Sequence, residues 1–474
     1  MSSTKRGPRL EVLLLFIIII LLIVILGIIC KCPCRKCPPV NKADTISWGS
    51  WNILFKKTTT ANIREEVTER LKDTLANYLV NDGLDTSQVH ISFHAYFCPC
   101  DSFLVNVDVK LINESGNPVT PPTPVKPVPS TGGLGGDVFA ALANKGLFIP
   151  EFDSATHVPT HNNPSDTNFI RYPSPPPQRD EDPVLAVIDT GLDSLQFIGR
   201  PRSELSALVW KDLSGAPTLY NFLIGADPGQ LTDDEIEFKH GTSVTYVALK
   251  GYGGAAPRIM VLKALDGSGK GSSFTVSCAM SYALQHKAGV INASLGYQGP
   301  EDPIMKHYFS MADSLKIPVI VAAGNDPSHP HHSNLICTDD INHADSLTDS
   351  NVFYPAGFGL QMNYVISVTG VNTDTLPCYY QNFSPRQVYV GVMNTGAGLG
   401  APDTCCAYLI PYLKDAGGNT QYVEGSSFAT PFVSGFLLSV GGSHPVDPRS
   451  ILDRVVLKSE KLKPYINSGR FIKN

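Results

Sequence analysis

A chain of 474 residues with 43% hydrophobic and 17% charged residues has the composition of a globular protein long enough for more than one domain. Its net charge is −6, with 37 Lys and Arg against 43 Asp and Glu, so no basic excess points to nucleic acid as a partner. Eleven cysteines are an odd number and give no clean disulfide framework.

After an N-terminal tail (residues 1–11), Val12 to Ile29 is an uninterrupted apolar run. It is long enough to cross a bilayer as one helix, which takes roughly 20 residues. A signal peptide would have an apolar core of only about 7–15 residues and end in small residues. This run ends Gly27-Ile28-Ile29-Cys30, so residues 12–30 are expected to form a single membrane anchor. Basic residues flank it on both sides (Lys5, Arg6 and Arg9, then Lys31, Arg35, Lys36 and Lys42), so they do not set its orientation. Residues 31–45 are Cys- and Pro-rich. Cys30, Cys32, Cys34 and Cys37 are candidates for lipidation, metal binding or pairing; their place beside the span suits lipidation, and Pro33 and Pro38 interrupt any metal spacing.

Residues 46–112 read as a small α+β unit in the order β-α-β-β. Ile46 to Phe55 is a strand, and Asn62 to Val80 places Ile63, Val67, Leu71, Leu75, Tyr78 and Leu79 on one helical face. Val89–Phe97 and Phe103–Ile112 alternate as strands around a turn at Cys98-Pro99-Cys100-Asp101. Residues 113–182 form a Pro/Gly-rich linker region, with one short helix expected at Asp137–Lys145.

From Pro183 to the C-terminus (183–474) short apolar runs alternate with helical stretches. The strands are Val184–Ile188, Ile259–Leu262, Gly289–Ala293, Pro318–Ala322 and Tyr364–Val368; the helices lie near Ser272–His286, Pro303–Leu315 and Ser427–Val440. This pattern indicates an α/β domain, a parallel sheet with helices on both faces. Functional groups in such a fold gather beyond the carboxyl ends of the strands.

The polar residues at those ends suit one type of chemistry. Gly425-Ser426-Ser427 opens onto Phe428, Ala429, Phe432, Val433, Phe436, Leu437 and Leu438 at helical spacing. Ser427 then sits in the first helical turn, where unpaired N–H groups and the positive end of the macrodipole favour an oxyanion. Alone, such a residue reads more readily as a helix cap. Asp189 ends the first strand and could orient an imidazole, or serve a turn. His240-Gly241-Thr242 places an imidazole at a helix start, or is one surface His among 12. Asn325, closing Ala322-Ala323-Gly324-Asn325, offers an amide as oxyanion donor, or sits in a turn. Each signal is weak; the set in the order Asp, His, Asn, Ser is strong.

Over roughly Asp182 to His444 the chain resembles the subtilisin-like serine peptidases. The matching motifs are Val187-Ile188-Asp189-Thr190-Gly191, His240-Gly241-Thr242, Asn292-Ala293-Ser294-Leu295-Gly296, Val321-Ala322-Ala323-Gly324-Asn325 and Gly425-Ser426-Ser427-Phe428-Ala429-Thr430-Pro431. The resemblance implies a subtilisin-like fold and a serine endopeptidase with no cofactor. Ser427 would be nucleophile and His240 general base and then acid. Asp189 would orient His240, and Asn325 with the Ser427 N–H would form the oxyanion hole.

It also implies that a protein or peptide substrate adds as a strand between Ser294-Leu295-Gly296 and Gly269-Lys270-Gly271. Ala323 and Gly324 would also bind substrate, and Phe353-Tyr354-Pro355-Ala356 would form the base of the primary side-chain pocket, Phe353 filling part of it and favouring a small residue before the cut. Asp326 at the rim would favour a basic one. Residues 46–112 would be an inhibitory propeptide, a spacer or a partner-binding unit.

No metal is expected. The segment Leu249–Pro257 is short where calcium-binding relatives carry a longer loop. The cluster His329, His331, His332, Cys337, Asp339, Asp340, His343 and Asp345 matches no standard ligand spacing. A membrane-tethered, extracytoplasmic serine endopeptidase is the expectation. The alternatives are a catalytically silent peptide-binding relative and a peptide ligase or transferase.

Overall fold

The computed structural model describes residues 50–55, 89–98, 100–113, 148–152, 155–157, 183–193, 209–210, 219–223, 234, 239–253, 257–325, 346–348, 351–378, 381–393, 408–414, 420–441 and 447–473. The expected anchor at 12–30, the juxtamembrane cysteines and the helices at 62–80 and 137–145 lie outside these residues. Among the described residues no helix is long and apolar enough to cross a membrane.

Three strands of the N-terminal unit form where the alternation places them: β1 (Ser50–Phe55), β2 (Val89–Phe97) and β3 (Leu104–Asn113). They join β4 (Phe148–Phe152) in an antiparallel sheet ordered β2-β3-β1-β4. A linker is therefore not the whole account of 113–182, because β4 and β5 (Ala155–His157) fall inside it. Pro150 disguises β4, yet β4 lies at the sheet edge, where a residue without an N–H is tolerated.

Along the rest of the chain come β6 (Val184–Asp189), β7 (Leu219–Asn221), α1 (His240–Tyr252), β8 (Arg258–Lys263), β9 (Lys270–Ser272), α2 (Ser273–Gln285) and β10 (Val290–Ala293). Then follow β11 (Tyr297–Gln298), α3 (Pro303–Leu315), β12 (Val319–Ala322), β13 (Phe353–Tyr354), β14 (Val365–Val371) and β15 (Val390–Met393). The last elements are β16 (Tyr408–Lys414), β17 (Thr420–Val423), α4 (Ser426–Gly441), α5 (Pro448–Val455), β18 (Leu457–Lys458) and β19 (Arg470–Lys473). The large sheet runs β18-β19-β15-β14-β12-β10-β6-β8-β7 and is parallel except at β18.

Both faces of this sheet are buried, which is why its strands read as continuous apolar runs. Leu185 and Val187 of β6 meet Val244, Val247 and Ala248 of α1 and Phe428, Val433 and Leu437 of α4. The alternate residues Ala186 and Ile188 face Phe274, Ala279 and Met280 of α2 and Ile304, Tyr308 and Phe309 of α3. Each such large side chain contributes about 1.5–3 kcal/mol on burial. β6 lies between β8 and β10, and the chain builds first to one side of it and then to the other. A crevice beyond the carboxyl ends of β6 and β10 follows from that reversal.

Glycines bring α1 and α4 together. A Cβ on Gly435 would run into the Ala248 carbonyl, and one on Gly251 into the Phe432 main chain. With the His240 ring 5.1 Å from that of Phe428, the two helices run side by side in one direction, their N-termini at the same end.

The N-terminal sheet docks on α2 and α3 through polar groups. Asn106 Nδ2 donates to Asn52 Oδ1 at 3.0 Å, and Asn52 Nδ2 to Ser273 Oγ at 2.8 Å. The Tyr308 hydroxyl donates to Asp101 Oδ2 at 2.8 Å, and Gln285 Nε2 to the Cys100 carbonyl at 2.7 Å. A disulfide joins Cys98 to Cys278 of α2. Beside it, burial pushes the Cys100 thiol up to about 12, which keeps it protonated and unreactive.

Candidate active site

Asp189, the last residue of β6, is 1% exposed and His240, the first of α1, is fully buried. His240 Nδ1 lies 2.7 Å from Asp189 Oδ1, and the Thr190 N–H donates to the same oxygen at 2.8 Å. An ionised carboxylate there accepts an Nδ1–H and leaves Nε2 as the basic nitrogen. Gly241 fits because its Cα faces the Gly191 carbonyl, which leaves no room for a side chain.

Ser427 lies in the first turn of α4, whose N-terminus stands beside that of α1. Pro431 has no N–H to offer the carbonyl four residues back. That carbonyl belongs to Ser427 and accepts from Ser294 Oγ instead, at 2.7 Å. Asn292 Nδ2 donates to Ser294 Oγ at 3.0 Å, and Ser434 Oγ donates to Asn292 Oδ1 at 2.8 Å. The end of β10 and the first turns of α4 are thus one hydrogen-bonded unit. The Ser427 hydroxyl donates to the Ser294 carbonyl at 3.2 Å, and to act as a nucleophile it would have to turn toward the imidazole. Catalytic hydrogen bonds commonly tighten in this way when substrate binds.

Asn325 follows β12. Its Oδ1 accepts from Ser426 N at 3.1 Å, which fixes which way the amide points. Ser426 Oγ bridges the Gly324 N–H and carbonyl, each at 3.0 Å. Asn325 Nδ2 is buried with no hydrogen-bond partner among the described residues, and it faces the Cα of Gly425. A buried amide donor without an acceptor is costly, about 1–3 kcal/mol, and calls for an explanation.

The expected substrate-binding residues divide. Lys270 and Gly271 are in β9, preceded by Gly269 at φ 74°, and β9 pairs antiparallel with β5: Ala155 with Ser272, Thr156 with Gly271, His157 with Lys270. β5 also touches β11, just past Ser294-Leu295-Gly296. Leu295 is fully buried in the core, so that segment has only its main chain to offer. The Phe353 ring fills the space against Gly296 and Gly324 beside Ala323, where neither glycine has room for a Cβ. Asp326 and the cluster from His329 to Asp345 lie outside the described residues. Among those described, no group of three or more His, Cys, Asp or Glu could hold a metal ion.

Sequence reading missed Asp234. It lies in the acidic run Asp233-Asp234-Glu235-Ile236-Glu237, which looks solvated, yet it is 1% exposed and burial pushes its carboxyl up to about 6. It accepts from Thr190 Oγ1 and from Thr242 N and Oγ1, each at 2.8 Å. It thereby clamps the end of β6 to the start of α1. Ser426 and Asn292 were visible only as neighbours within motifs, and Ser434 was not singled out at all.

A carboxylate and an amide at the ends of two parallel strands, with an imidazole and a hydroxyl in the first turns of two neighbouring helices, are the groups that acyl transfer through a serine requires. The chain belongs to the Subtilase family, whose model matches residues 180–460. It is 30% identical over 261 residues to an intracellular serine protease of Paenibacillus polymyxa, covering 53% of this chain and 64% of that protein. It is 26% identical over 296 residues to a thermophilic serine proteinase of Bacillus sp. (strain AK1), covering 60% and 59% respectively. A cell wall-associated protease of Bacillus subtilis (strain 168) is 25% identical over 261 residues, or 53% of this chain and 23% of that protein. The chain thus spans less than two thirds of the length of these relatives.

Proposed function

We propose that this protein is a serine endopeptidase in which Ser427 attacks the scissile carbonyl. His240 takes the hydroxyl proton and returns it to the leaving amine, with Asp189 holding its tautomer. The oxyanion is received by Asn325 Nδ2 and the Ser427 N–H, and water then hydrolyses the acyl-enzyme. The observation that carries this reading is Asn325: its oxygen is tied to Ser426 and its buried nitrogen is left with nothing to donate to. A cap or a turn needs no such donor; an oxyanion does. The native chain should react covalently with a fluorophosphonate probe, and His240→Ala should abolish labelling. An unlabelled native chain, or a His240→Ala variant labelled at the native rate, would overturn the reading.

Substrate binding is proposed as strand addition between β9 and Ser294-Leu295-Gly296. It is supported by β5, a segment of this chain already paired there in the antiparallel sense. The same pairing, together with the docked sheet of β1–β4, favours an inhibitory role for residues 46–112 and the segment after them over a passive spacer. Phe353 shallows the primary pocket. Profiling with a peptide library should show small residues before the cut, and a strong preference there for bulky aromatics would remove Phe353 from this role. The apolar run Val12–Ile29 supports tethering to a bilayer, and the Cys98–Cys278 disulfide supports a peptidase domain outside the cytoplasm, where disulfides persist.

A further inference from the structure

We propose that Asp234 is a positioning residue for the Asp189–His240 pair, acting through the direction in which the Thr190 hydroxyl points. The proposal rests on the peptidase reading above. Thr190 Oγ1 stands 2.8 Å from Asp234 Oδ1 and 3.3 Å from Asp189 Oδ1, and it has one hydrogen to give. It also accepts from the Gly241 N–H at 2.9 Å, so it is held in place while its hydrogen has two carboxylates to choose between. Ionised Asp234 takes that hydrogen. Asp189 Oδ1 is then left to the Thr190 N–H and to His240.

Protonation reverses the arrangement. A neutral Asp234 has to donate, and the fixed Thr242 N–H on Oδ2 disfavours a proton there. The proton, taken from solvent, therefore sits on Oδ1 and is donated to Thr190 Oγ1. The Thr190 hydroxyl must turn, and the other acceptor within reach is Asp189 Oδ1. Another donor on that oxygen competes with the imidazole N–H and draws off the charge that stabilises the imidazolium. Apart from the transfer of that proton from solvent hydronium to Oδ1, which leaves water behind, only hydrogen bonds are made or broken.

Among the described residues, the charged and titratable groups around Asp234 come from three elements and one loop. Asp189 ends β6 and His240 opens α1. Lys263 of β8 holds the Thr190 carbonyl at 2.7 Å. Lys239, before α1, holds the Asp234 carbonyl at 2.6 Å and pairs with Asp193 at 3.0 Å. Both lysines thus hold main-chain oxygens next to the carboxylate. The Asp234 carboxyl is held up at about 6 by burial, within the range over which the relay would operate.

The test is the dependence of kcat/KM on pH for the full chain acting on a peptide substrate. Protonation of the general base gives one acid limb, and Asp234 should add a second proton that steepens it. Asp234→Asn, with its amide nitrogen toward Thr190, imitates the protonated state. It should lower kcat/KM roughly tenfold at about pH 8 and leave the shallower, single-proton limb. Thr190→Val removes the relay, so adding Asp234→Asn to it should change kcat/KM by less than about twofold. Thr190→Ser keeps the hydroxyl and should keep the steep limb.

An Asp234→Asn limb as steep as the native one, or losses that multiply in the double variant, would overturn the proposal. If Asp234→Asn does not fold, the comparison of Thr190→Val with Thr190→Ser decides alone, and equal steepness overturns it. A native chain that neither cleaves peptides nor takes the fluorophosphonate probe overturns the peptidase reading and this inference with it. An active native chain with an unmoved limb overturns only this inference.

Discussion

Ser427→Ala is expected to lower kcat on the order of a millionfold while leaving the fold intact, the loss measured when the nucleophile of a serine peptidase of this type is removed. Among the described residues the hydroxyl makes one hydrogen bond, to the Ser294 carbonyl at 3.2 Å, so stability should change by no more than about 1 kcal/mol. Rate and stability are thereby separated, which a helix-capping role would not allow. The variant should also fail to shorten itself. If the native chain cuts itself between residues 113 and 182, its fragments should stay joined through Cys98–Cys278 and part only under reducing conditions. Steady-state kinetics on a peptide substrate, with reducing and non-reducing gels of both chains, check this. Retention of more than about a hundredth of native activity by Ser427→Ala would remove Ser427 from the chemistry.

The strands were legible because burial on both faces of a parallel sheet writes itself as runs such as Val184–Ile188 and Pro318–Ala322. The ends of those runs carried Asp189, Ser294 and Asn325, so half of the candidate site could be placed by strand order alone. That His240 and Ser427 share one end of two packed helices follows from Gly251 and Gly435, whose meaning is visible only once the facing main chain is known. β4 and β5 were hidden by their Pro-rich surroundings, and β5 has no pattern of its own because its strand character comes from pairing with β9. The bridge from Cys98 to Cys278 spans 180 residues, and no spacing rule reaches that far. Asp234 was hidden by its charged neighbours. A single acid in an acidic run gives no sign in the sequence that it is buried.

Asp189→Asn should reduce kcat by about ten-thousandfold near neutral pH with a much smaller change in KM, because it removes charge and tautomer control but no substrate contact. The reason lies in how the carboxylate is held. His240 Nδ1, the Thr190 N–H and Thr190 Oγ1 all approach Oδ1, while Oδ2 is buried with no hydrogen-bond partner among the described residues. An asparagine can take this position in two ways. With its oxygen at Oδ1 it still accepts from His240, but it places an NH2 group in the pocket of Oδ2, where two donor hydrogens are buried, and it offers the imidazolium no counter-charge. With its nitrogen at Oδ1 it confronts the Thr190 N–H and obliges His240 Nδ1 to accept, which puts the hydrogen on Nε2 and removes the base. Either outcome disables proton transfer from Ser427 while leaving Asn325 and the strand-pairing surfaces in place. The loss should therefore appear in kcat, with fluorophosphonate labelling slowed in proportion and product-like peptides bound as before. A decrease of less than about tenfold would show that Asp189 serves its turn and not the imidazole.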